Sequence, residues 1–259
     1  MGIVNVTPDS FSDGGEHATT AAAIEHGLRL LDEGAEVVDV GGESTRPGAA
    51  PVEVQEELRR VVGVVQGLVE RRPDAVVSID TRRAQVASAC LQAGARWVND
   101  VSAGADPEMA GVVAAHGATW VLMHMRGTPA TMQGDTSYHD VVGEVCAWLA
   151  ERVAQVRQQG VRAEQLWVDP GIGFGKALGD NPALVRAVPR LREATGRPVL
   201  VGASRKAFLG HLLGIERPAD RVCASVGVAL AAASHGAGMV RVHDVAATHD
   251  ALRAFEACR

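Results

Sequence analysis

The chain has 259 residues, 47% of them hydrophobic and only 3% aromatic, and its formal net charge is -6. This length suits a single α/β domain, whose interior we expect to consist mainly of aliphatic strands and Ala-lined helices. The acidic balance argues against a general nucleic-acid binder, so no nucleic-acid partner is expected.

The sequence shows no targeting or membrane segment. It has no charged start followed by an apolar core, and no uninterrupted apolar run of about 18 residues. Its four cysteines are too far apart for a CxxC or zinc-ribbon motif, which predicts buried free thiols in a reducing compartment. We therefore expect a soluble, cytoplasmic protein with no membrane partner.

Strands and helices are predicted to alternate along the chain. The first strand is expected at 2–6 and the first helix at 18–34, with Gly34 at its C-cap. Further strands are expected at 36–42, 75–80, 96–100, 119–124, 166–170, 198–204 and 238–243, and the last helix at about 246–257. The longest polar connection, 125–138, follows the fifth strand and is expected to lie over one end of the fold.

This alternation predicts the architecture. Eight strand-then-helix units in 259 residues are typical of a closed (β/α)8 TIM barrel of the α/β class. The strands read as nearly continuous Val, Ile and Leu runs, as in parallel strands that are covered on both faces. No linker or charge run interrupts the pattern, so residues 1–259 are expected to form one domain.

Polar side chains stand at the carboxyl ends of the predicted strands. In a barrel these ends meet on one face, where active sites of this architecture lie. Capping of the next helix explains single residues such as Asp100, but not polar residues within apolar strands. The residues are Asn5, Asp39 with Glu43, Asp80, Asn99 with Asp100, His124, Asp169, the Ser204-Arg205-Lys206 turn, and Arg241 with His243.

Part of this set suits a flat heterocycle. Asp80, Asn99 and Asp169 supply acceptors and an amide, which match a ring with several N–H donors and one or two acceptors. Gly202 and Ser204, in the turn after the seventh strand, are further substrate-binding candidates, because a glycine lets a ligand approach the backbone. The predicted ligand is therefore a ring resembling a purine or a pterin.

The other part suits an anionic group on that ring. Lys206, Arg241, His243 and Arg46 are candidate cations for phosphate. Asn5 is a candidate oxygen ligand for Mg²⁺, which prefers oxygen donors and often bridges to phosphate. The substrate is predicted to carry an anionic leaving group, with Mg²⁺ as the cofactor.

Seven ordered motifs carry a resemblance to a known family. They are "NVTPDSFSDGG", "DVGGESTRPG", "SIDT", "VND", "DPGIGFGK", "GASRK" and "RVHDV". In this order and at these intervals, over Met1 to about Val245, the chain resembles the dihydropteroate synthases. The resemblance implies a TIM-barrel homodimer and sulfonamide target of folate biosynthesis. It also implies a transferase that joins p-aminobenzoate to 6-hydroxymethyl-7,8-dihydropterin diphosphate and releases pyrophosphate.

The resemblance also implies roles for the pterin-binding residues. Asp169 would accept from the pterin 2-amino group and N3, while Asn99 and Asp80 hold the rest of that edge. Lys206 would donate to the pterin carbonyl and N5, and Met123 would line the pocket.

Further roles concern the second substrate and the leaving group. Phe174 would help to form the p-aminobenzoate pocket. Arg241 would stack on the ring and, with His243 and Asn5, receive the diphosphate and its Mg²⁺. Two mobile loops would close over the site, and the residues that match them are Asp13, Thr45, Arg46 and Pro47. The candidate catalytic residues are Lys206, Arg241, His243, Asp13 and Arg46.

One position departs from the family pattern, and three alternatives remain open. Many relatives carry a hydroxyl just after the lysine of "SRK", whereas this chain has Ala207, so the p-aminobenzoate carboxylate would rely on backbone N–H groups. The alternatives are a sulfonamide-insensitive synthase, a pterin-binding module that presents a folate to a methyltransferase partner, and a barrel of unrelated specificity. A module should lack the diphosphate clamp, and it should not release pyrophosphate.

Overall fold

The computed structural model describes residues 1–6, 15–45, 48 and 50–259, and the side chains of residues 15–19 lie outside that description. Eight parallel strands alternate with helices. The strands are β1 (Gly2–Asn5), β2 (Val37–Gly41), β3 (Val76–Asp80), β4 (Trp97–Asp100), β5 (Thr119–Met123), β6 (Leu166–Asp169), β7 (Leu200–Val201) and β8 (Met239–Val240).

Helices of the described segments surround the strands. They are α1 (Gly15–Asp32), α2 (Val54–Arg71), α3 (Ala84–Gln92), α4 (Met109–His116), α5 (Val141–Gln158), α6 (Asp180–Arg186), α7 (Val188–Thr195), α8 (Ala207–Leu213), α9 (Val222–Ser234) and α10 (Val245–Ala257). Short 3-10 helices span Ala163–Gln165 and Pro218–Arg221. In the described segments, two helices follow β6 and two follow β7, and one helix follows each of the other strands.

The strands form a closed ring. β1 to β6 pair in chain order, and β7 pairs with β8, all in parallel. Two single bridges complete the ring, one between Val168 and Val199 and one between Gly2 and Val242. The fold is therefore the (β/α)8 barrel that the alternation predicts.

The last two strands are shorter than expected. The sequence predicts strands at 198–204 and 238–243, but only two residues of each lie in the regular ladder. Beyond them the pairing continues through single hydrogen bonds, such as the one from Arg241 N to the Val201 carbonyl at 3.0 Å. The chain then bends, because Arg205 has a positive φ of 59° and begins a turn.

Alternation of side chains within each strand separates the core from the site. In β2, Val38 and Val40 pack in the large cluster that includes helix residues, and Val37 packs in a small cluster inside the barrel. Because strand side chains alternate in direction, Asp39 also points inward, two residues further along the strand. The apolar strands thus bury both faces while they place polar side chains at one end of the barrel interior.

The cysteines differ in part from the expectation. All four are free, with Cys90 and Cys146 buried, but Cys223 and Cys258 are exposed. The prediction of buried thiols is therefore wrong for these two positions, which lie in α9 and just after α10. Among the described residues, no helix is long and apolar enough to cross a membrane.

Candidate active site

The strand register aligns the predicted site residues at the carboxyl end of the barrel. Asn5 pairs with Gly41, Gly41 with Asp80, and Asp80 with Asn99. On the other side of the ring, Met123 pairs with Asp169. All of these residues stand at the carboxyl ends of their strands, which meet at the mouth of the barrel.

The half-buried guanidinium of Arg241 links two acids of the mouth. Arg241 Nε donates to Asp39 Oδ2 at 2.6 Å, and a terminal nitrogen of Arg241 donates to Asp80 Oδ2 at 2.8 Å. Asn99 Nδ2 donates to the same Asp39 oxygen at 2.9 Å. The structure therefore brings Asp80, Asn99 and Arg241 together through Asp39, the middle residue of β2, to which the sequence analysis gave no role.

Arg241 and Asn99 do not satisfy all the carboxylate oxygens of this network. Asp39 is 0% exposed, and its Oδ1 has no hydrogen-bond partner among the described residues. Burial raises the pKa of Asp80 to about 7, with Asp39 adding to the rise and Arg241 opposing it. A buried carboxylate oxygen without a hydrogen-bond partner is costly, so the mouth retains the capacity to accept a further hydrogen bond.

Asp169 ends β6 and is buried at the same mouth. Its Oδ1 accepts from the Gly171 backbone N–H at 2.7 Å, and the residue is 5% exposed. Burial raises the pKa of its carboxyl to about 6, against the hydrogen bond from Gly171 and the nearby cations. At Gly202 an added Cβ would stand 3.8 Å from both Asp169 Oδ2 and Arg241 Cβ, so the missing side chain leaves these groups accessible.

Lys206 and an apolar cluster form one wall of the mouth. The Lys206 ammonium lies 3.9 Å from the centroid of the Phe174 ring, which is a cation–π contact. Burial, followed by the charge of Arg241, lowers the pKa of Lys206 to about 8. Phe174 packs with Met123, Val101 and Met132, the last of which comes from the polar connection after β5. Met132 is a wall residue that sequence reasoning missed.

Ser204 contacts His243 at two points. The Ser204 hydroxyl accepts from the His243 backbone N–H at 3.2 Å and lies 3.0 Å from His243 Nδ1. Burial and the charges of Arg241 and Arg205 lower the pKa of His243 to about 3. The lowered pKa favours a neutral imidazole, and the predicted role of His243 as a cation for phosphate stays a prediction. Because Ser204 can donate its own proton to Nδ1, the ring proton is assigned to Nε2.

A second buried lysine holds the loop that carries Phe174. Lys176 Nζ lies within hydrogen-bonding distance of the carbonyls of Phe174 at 2.8 Å, Gly171 at 3.2 Å and His124 at 3.4 Å, and of His124 Nδ1 at 3.0 Å. Burial lowers the pKa of Lys176 to about 7. The loop passes so close to β5 that a Cβ at Gly171 would stand 1.9 Å from the His124 carbonyl oxygen. Sequence reasoning gave Lys176 no role.

Other predicted residues stand apart from these contacts. Asn5 is half-buried at the end of β1, and its side chain makes no hydrogen bond to the described part of the chain. Thr45 is half-buried and immediately precedes residues 46 and 47. Asp13, Arg46 and Pro47 lie outside the described residues, so their predicted roles stay predictions.

Asp100 stabilises its own turn and has a structural role. Its Oδ1 accepts from the Ser102 backbone N–H at 2.8 Å and from the Ser102 hydroxyl at 2.6 Å, and its Oδ2 accepts from Gly104 N at 2.6 Å. These bonds satisfy both carboxylate oxygens inside its own turn, which is the structural alternative considered for this residue.

Comparison with known proteins agrees with this geometry. The family model described as "Pterin binding enzyme" matches residues 1–243. A dihydropteroate synthase of Mycobacterium leprae is 51% identical over 260 residues, covering 98% of this chain and 90% of that protein. A structure of Xanthomonas albilineans dihydropteroate synthase with 4-aminobenzoic acid has a TM-score of 0.94 at 50% identity, and covers 100% of this chain and 92% of its own.

A second solved structure extends the comparison. A Yersinia pestis dihydropteroate synthase with a sulfonamide drug complex has a TM-score of 0.93 at 43% identity, and covers 100% of this chain and 93% of that one. Both structures cover the whole chain, and the family model reaches from Met1 to His243. By these matches, the chain belongs to the dihydropteroate synthases of the pterin binding enzyme family.

Proposed function

We propose that this chain joins 6-hydroxymethyl-7,8-dihydropterin diphosphate to p-aminobenzoate, giving 7,8-dihydropteroate and pyrophosphate. As a dihydropteroate synthase it is a transferase of folate biosynthesis. The main support for the proposed residue roles is that hydrogen-bond acceptors and cationic side chains lie close together in the barrel mouth. Asp169, Asn99 and Asp80 lie there with Lys206 and Arg241, and the buried Oδ1 of the adjoining Asp39 has no hydrogen-bond partner among the described residues.

The acceptors fit the pterin ring. A pterin presents N–H donors along one edge, and the Asp169 carboxylate has an oxygen that Gly171 does not use. Asn99 and Asp80 lie on the adjoining strands and would bind the remaining ring edge. Lys206 would donate to the pterin carbonyl and N5, while Phe174 and Met123 form the apolar wall.

The cationic side fits the diphosphate leaving group. Loss of diphosphate breaks a C–O bond and leaves a cationic methylene on the pterin, which the neutral amine of p-aminobenzoate then attacks. Arg241 would stabilise the negative charge that develops on the leaving group, and His243 would donate its Nε2–H to a phosphate oxygen. No protein nucleophile is needed, because positioning and electrostatics lower the barrier.

Mg²⁺ is the proposed cofactor, and the donor set is compatible with it. Asn5 offers a hard oxygen at the mouth, and its amide is free of hydrogen bonds to described residues. In those residues no group of three or more His, Cys, Asp or Glu side chains could hold a metal ion alone. Mg²⁺ would then be held by Asn5 together with diphosphate oxygens and water, as is common for this ion. Bound there, it would neutralise charge on the leaving group.

We also propose a cytoplasmic homodimer that is sensitive to sulfonamides, with the family resemblance and the sulfonamide complex of the Yersinia pestis relative as support. A monomer has a mass of 27.0 kDa, so light scattering after size exclusion should give about twice that value for the dimer. A single-subunit mass would contradict it.

Pyrophosphate release is the test of the reaction. Purified protein is given the pterin diphosphate and Mg²⁺, with and without p-aminobenzoate, and pyrophosphate is measured. Release that depends on p-aminobenzoate is the expected result. Pterin binding without release would instead favour the module that presents a folate to a methyltransferase. The relatives compared above are dihydropteroate synthases, which does not support that alternative.

A further inference from the structure

The turn after β7 has a backbone conformation that its sequence does not favour. Arg205 has a φ of 59°, and in the described part of the chain the only other non-glycine residue with a positive φ is Ala103. A side chain with a Cβ is disfavoured in this left-handed region, and such residues persist only where the surroundings fix them. Lys206, which follows directly, is the proposed pterin-binding residue.

Helix α9 and the residue before it fix the backbone of this turn. The Ser225 hydroxyl accepts from the Arg205 N–H at 2.9 Å. On the other side of the residue, the Arg221 guanidinium donates to the Arg205 carbonyl at 3.0 Å and lies 3.4 Å from the Lys206 carbonyl. Arg221 is itself 8% exposed, so this anchor is part of the buried structure.

Two neighbouring side chains of the turn contact two neighbouring residues after β8. The Ser204 hydroxyl contacts His243, and the Arg205 guanidinium contacts Asp244. The Arg205–Asp244 pair is bidentate, with nitrogen-to-oxygen distances of 3.0 and 2.5 Å. A bidentate charged pair restrains orientation as well as distance, because both ends are planar.

Asp244 makes this contact in place of its ordinary one. It is the N-cap residue of α10, and aspartate at that position usually accepts from an N–H of the first helical turn. Its side chain makes no such cap here, and both of its oxygens accept from Arg205. The Asp244 carboxylate thus connects the turns that follow β7 and β8, and it does not cap α10.

We propose that Arg205 is a positioning residue: through Asp244 it locks the turn after β7 to the turn after β8 and so fixes Lys206 relative to His243. The inference rests on the proposed function, in which Lys206 binds the pterin and His243 binds its diphosphate. Arg205 touches neither substrate. It sets the spacing between the part of the site that holds the ring and the part that holds the leaving group.

Breaking the link should therefore affect turnover more than ring binding. Without the pair, the Ser204–His243 contact alone joins the side chains of the two turns, so the alignment of Lys206 and His243 with the leaving group is weakened. The contacts of the ring with Asp169, Asn99 and Asp80 come from other strands and do not depend on Asp244. A purely structural role would reduce stability without separating these two readouts.

The experiment compares five proteins by pyrophosphate release and by calorimetric binding of unphosphorylated 6-hydroxymethyl-7,8-dihydropterin. They are the wild type, Asp244→Ala, Arg205→Gly, the charge-swapped Arg205→Asp/Asp244→Arg variant, and the control Asp32→Ala. Glycine and aspartate both accept a positive φ, so these variants keep the backbone of the turn accessible. The control removes the partner of Arg72 in an ion pair at the opposite end of the barrel. All assays are run below the melting temperature of each protein.

We expect Asp244→Ala and Arg205→Gly to lower kcat at least tenfold while pterin binding changes less than threefold. The charge-swapped variant should return to within threefold of the wild-type kcat, and the control should equal the wild type. A kcat within twofold of wild type for Asp244→Ala, equal losses in kcat and pterin binding, or no recovery on swapping would overturn the inference. If the wild type releases no pyrophosphate, the proposed function fails instead, which the first measurement of the series detects.

Discussion

Replacing Asp169 with asparagine should increase stability while it destroys ligand binding. Burial raises the pKa of Asp169 from 3.8 to about 6, which corresponds to about 3 kcal/mol of cost for the ionised carboxylate in the folded state. The folded carboxyl holds its proton more tightly than the unfolded one, so stability falls as the pH rises from about 4 to about 6, and the cost stays constant above that. Asn has no charge to desolvate and can still accept from Gly171.

The expected stability gain depends on pH. At pH 8 the Asp169→Asn variant should melt about 6–12 °C above the wild type, since about 1 kcal/mol shifts the melting temperature of a domain of this size by roughly 2–4 °C and the cost removed is about 3 kcal/mol. The gain should shrink as the pH falls from 6 towards 4, where wild-type Asp169 is protonated. Asp250→Asn, at a side chain that is 85% exposed, is the matched control and should melt like the wild type at both values.

Pterin binding should change in the opposite direction. Truncating one partner of a buried charged hydrogen bond typically costs about 2–5 kcal/mol, which corresponds to a loss of roughly 30-fold or more in affinity. Calorimetry with unphosphorylated pterin measures this loss directly. Wild-type affinity in the variant would refute the acceptor role of Asp169. A lower melting temperature at pH 8 would refute the argument from desolvation.

Three further changes test other parts of the site. Arg241→Ala should lower kcat more than it weakens binding of unphosphorylated pterin, because its proposed partner is the leaving group; equal losses would restrict Arg241 to the ring. Lys176→Met should raise the KM for p-aminobenzoate about tenfold and lower the melting temperature, because the Phe174 carbonyl loses its donor at 2.8 Å; unchanged kinetics would show that the Phe174 wall does not need Lys176. Ala207→Ser should lower the KM for p-aminobenzoate about threefold to tenfold by adding a hydroxyl near its carboxylate, and an unchanged KM in steady-state assays would place that carboxylate elsewhere.

The architecture could be predicted because its signals are repeated. Eight aliphatic runs with helical segments between them leave few alternatives, and the expected strands agree with the observed ones within one or two residues for β1 to β6. The expectation was less accurate for β7 and β8, where the ladder stops early. The reason is tertiary: Ser204 and Arg205 are held by contacts to residues after β8, and no local pattern shows such a link.

The site was predictable where a polar residue interrupts an apolar strand. Asp80, Asn99 and Asp169 stood out for that reason, and all three lie in the mouth. Asp39 also interrupts an apolar strand, but the sequence did not indicate its partner. In the structure it accepts hydrogen bonds from Arg241 and Asn99. Lys176 could have been noticed from composition, because Lys176 and Lys206 are the only lysines in the chain. Most of its contacts are with backbone carbonyl oxygens, whose positions cannot be read from the sequence.

The pKa directions in the mouth explain why function and stability oppose each other here. The pKa values of Asp80 and Asp169 are raised and that of Lys206 is lowered, with burial as the first cause in each case. The protein's own partners therefore do not fully compensate for the loss of water, and the orphaned oxygen of Asp39 is the geometric sign of the same deficit. A ring with N–H donors and an attached diphosphate supplies the missing partners for both charge types. Substrate binding should thus offset the cost of burying these charged groups, which is why removing a site carboxylate can stabilise the fold and abolish recognition together.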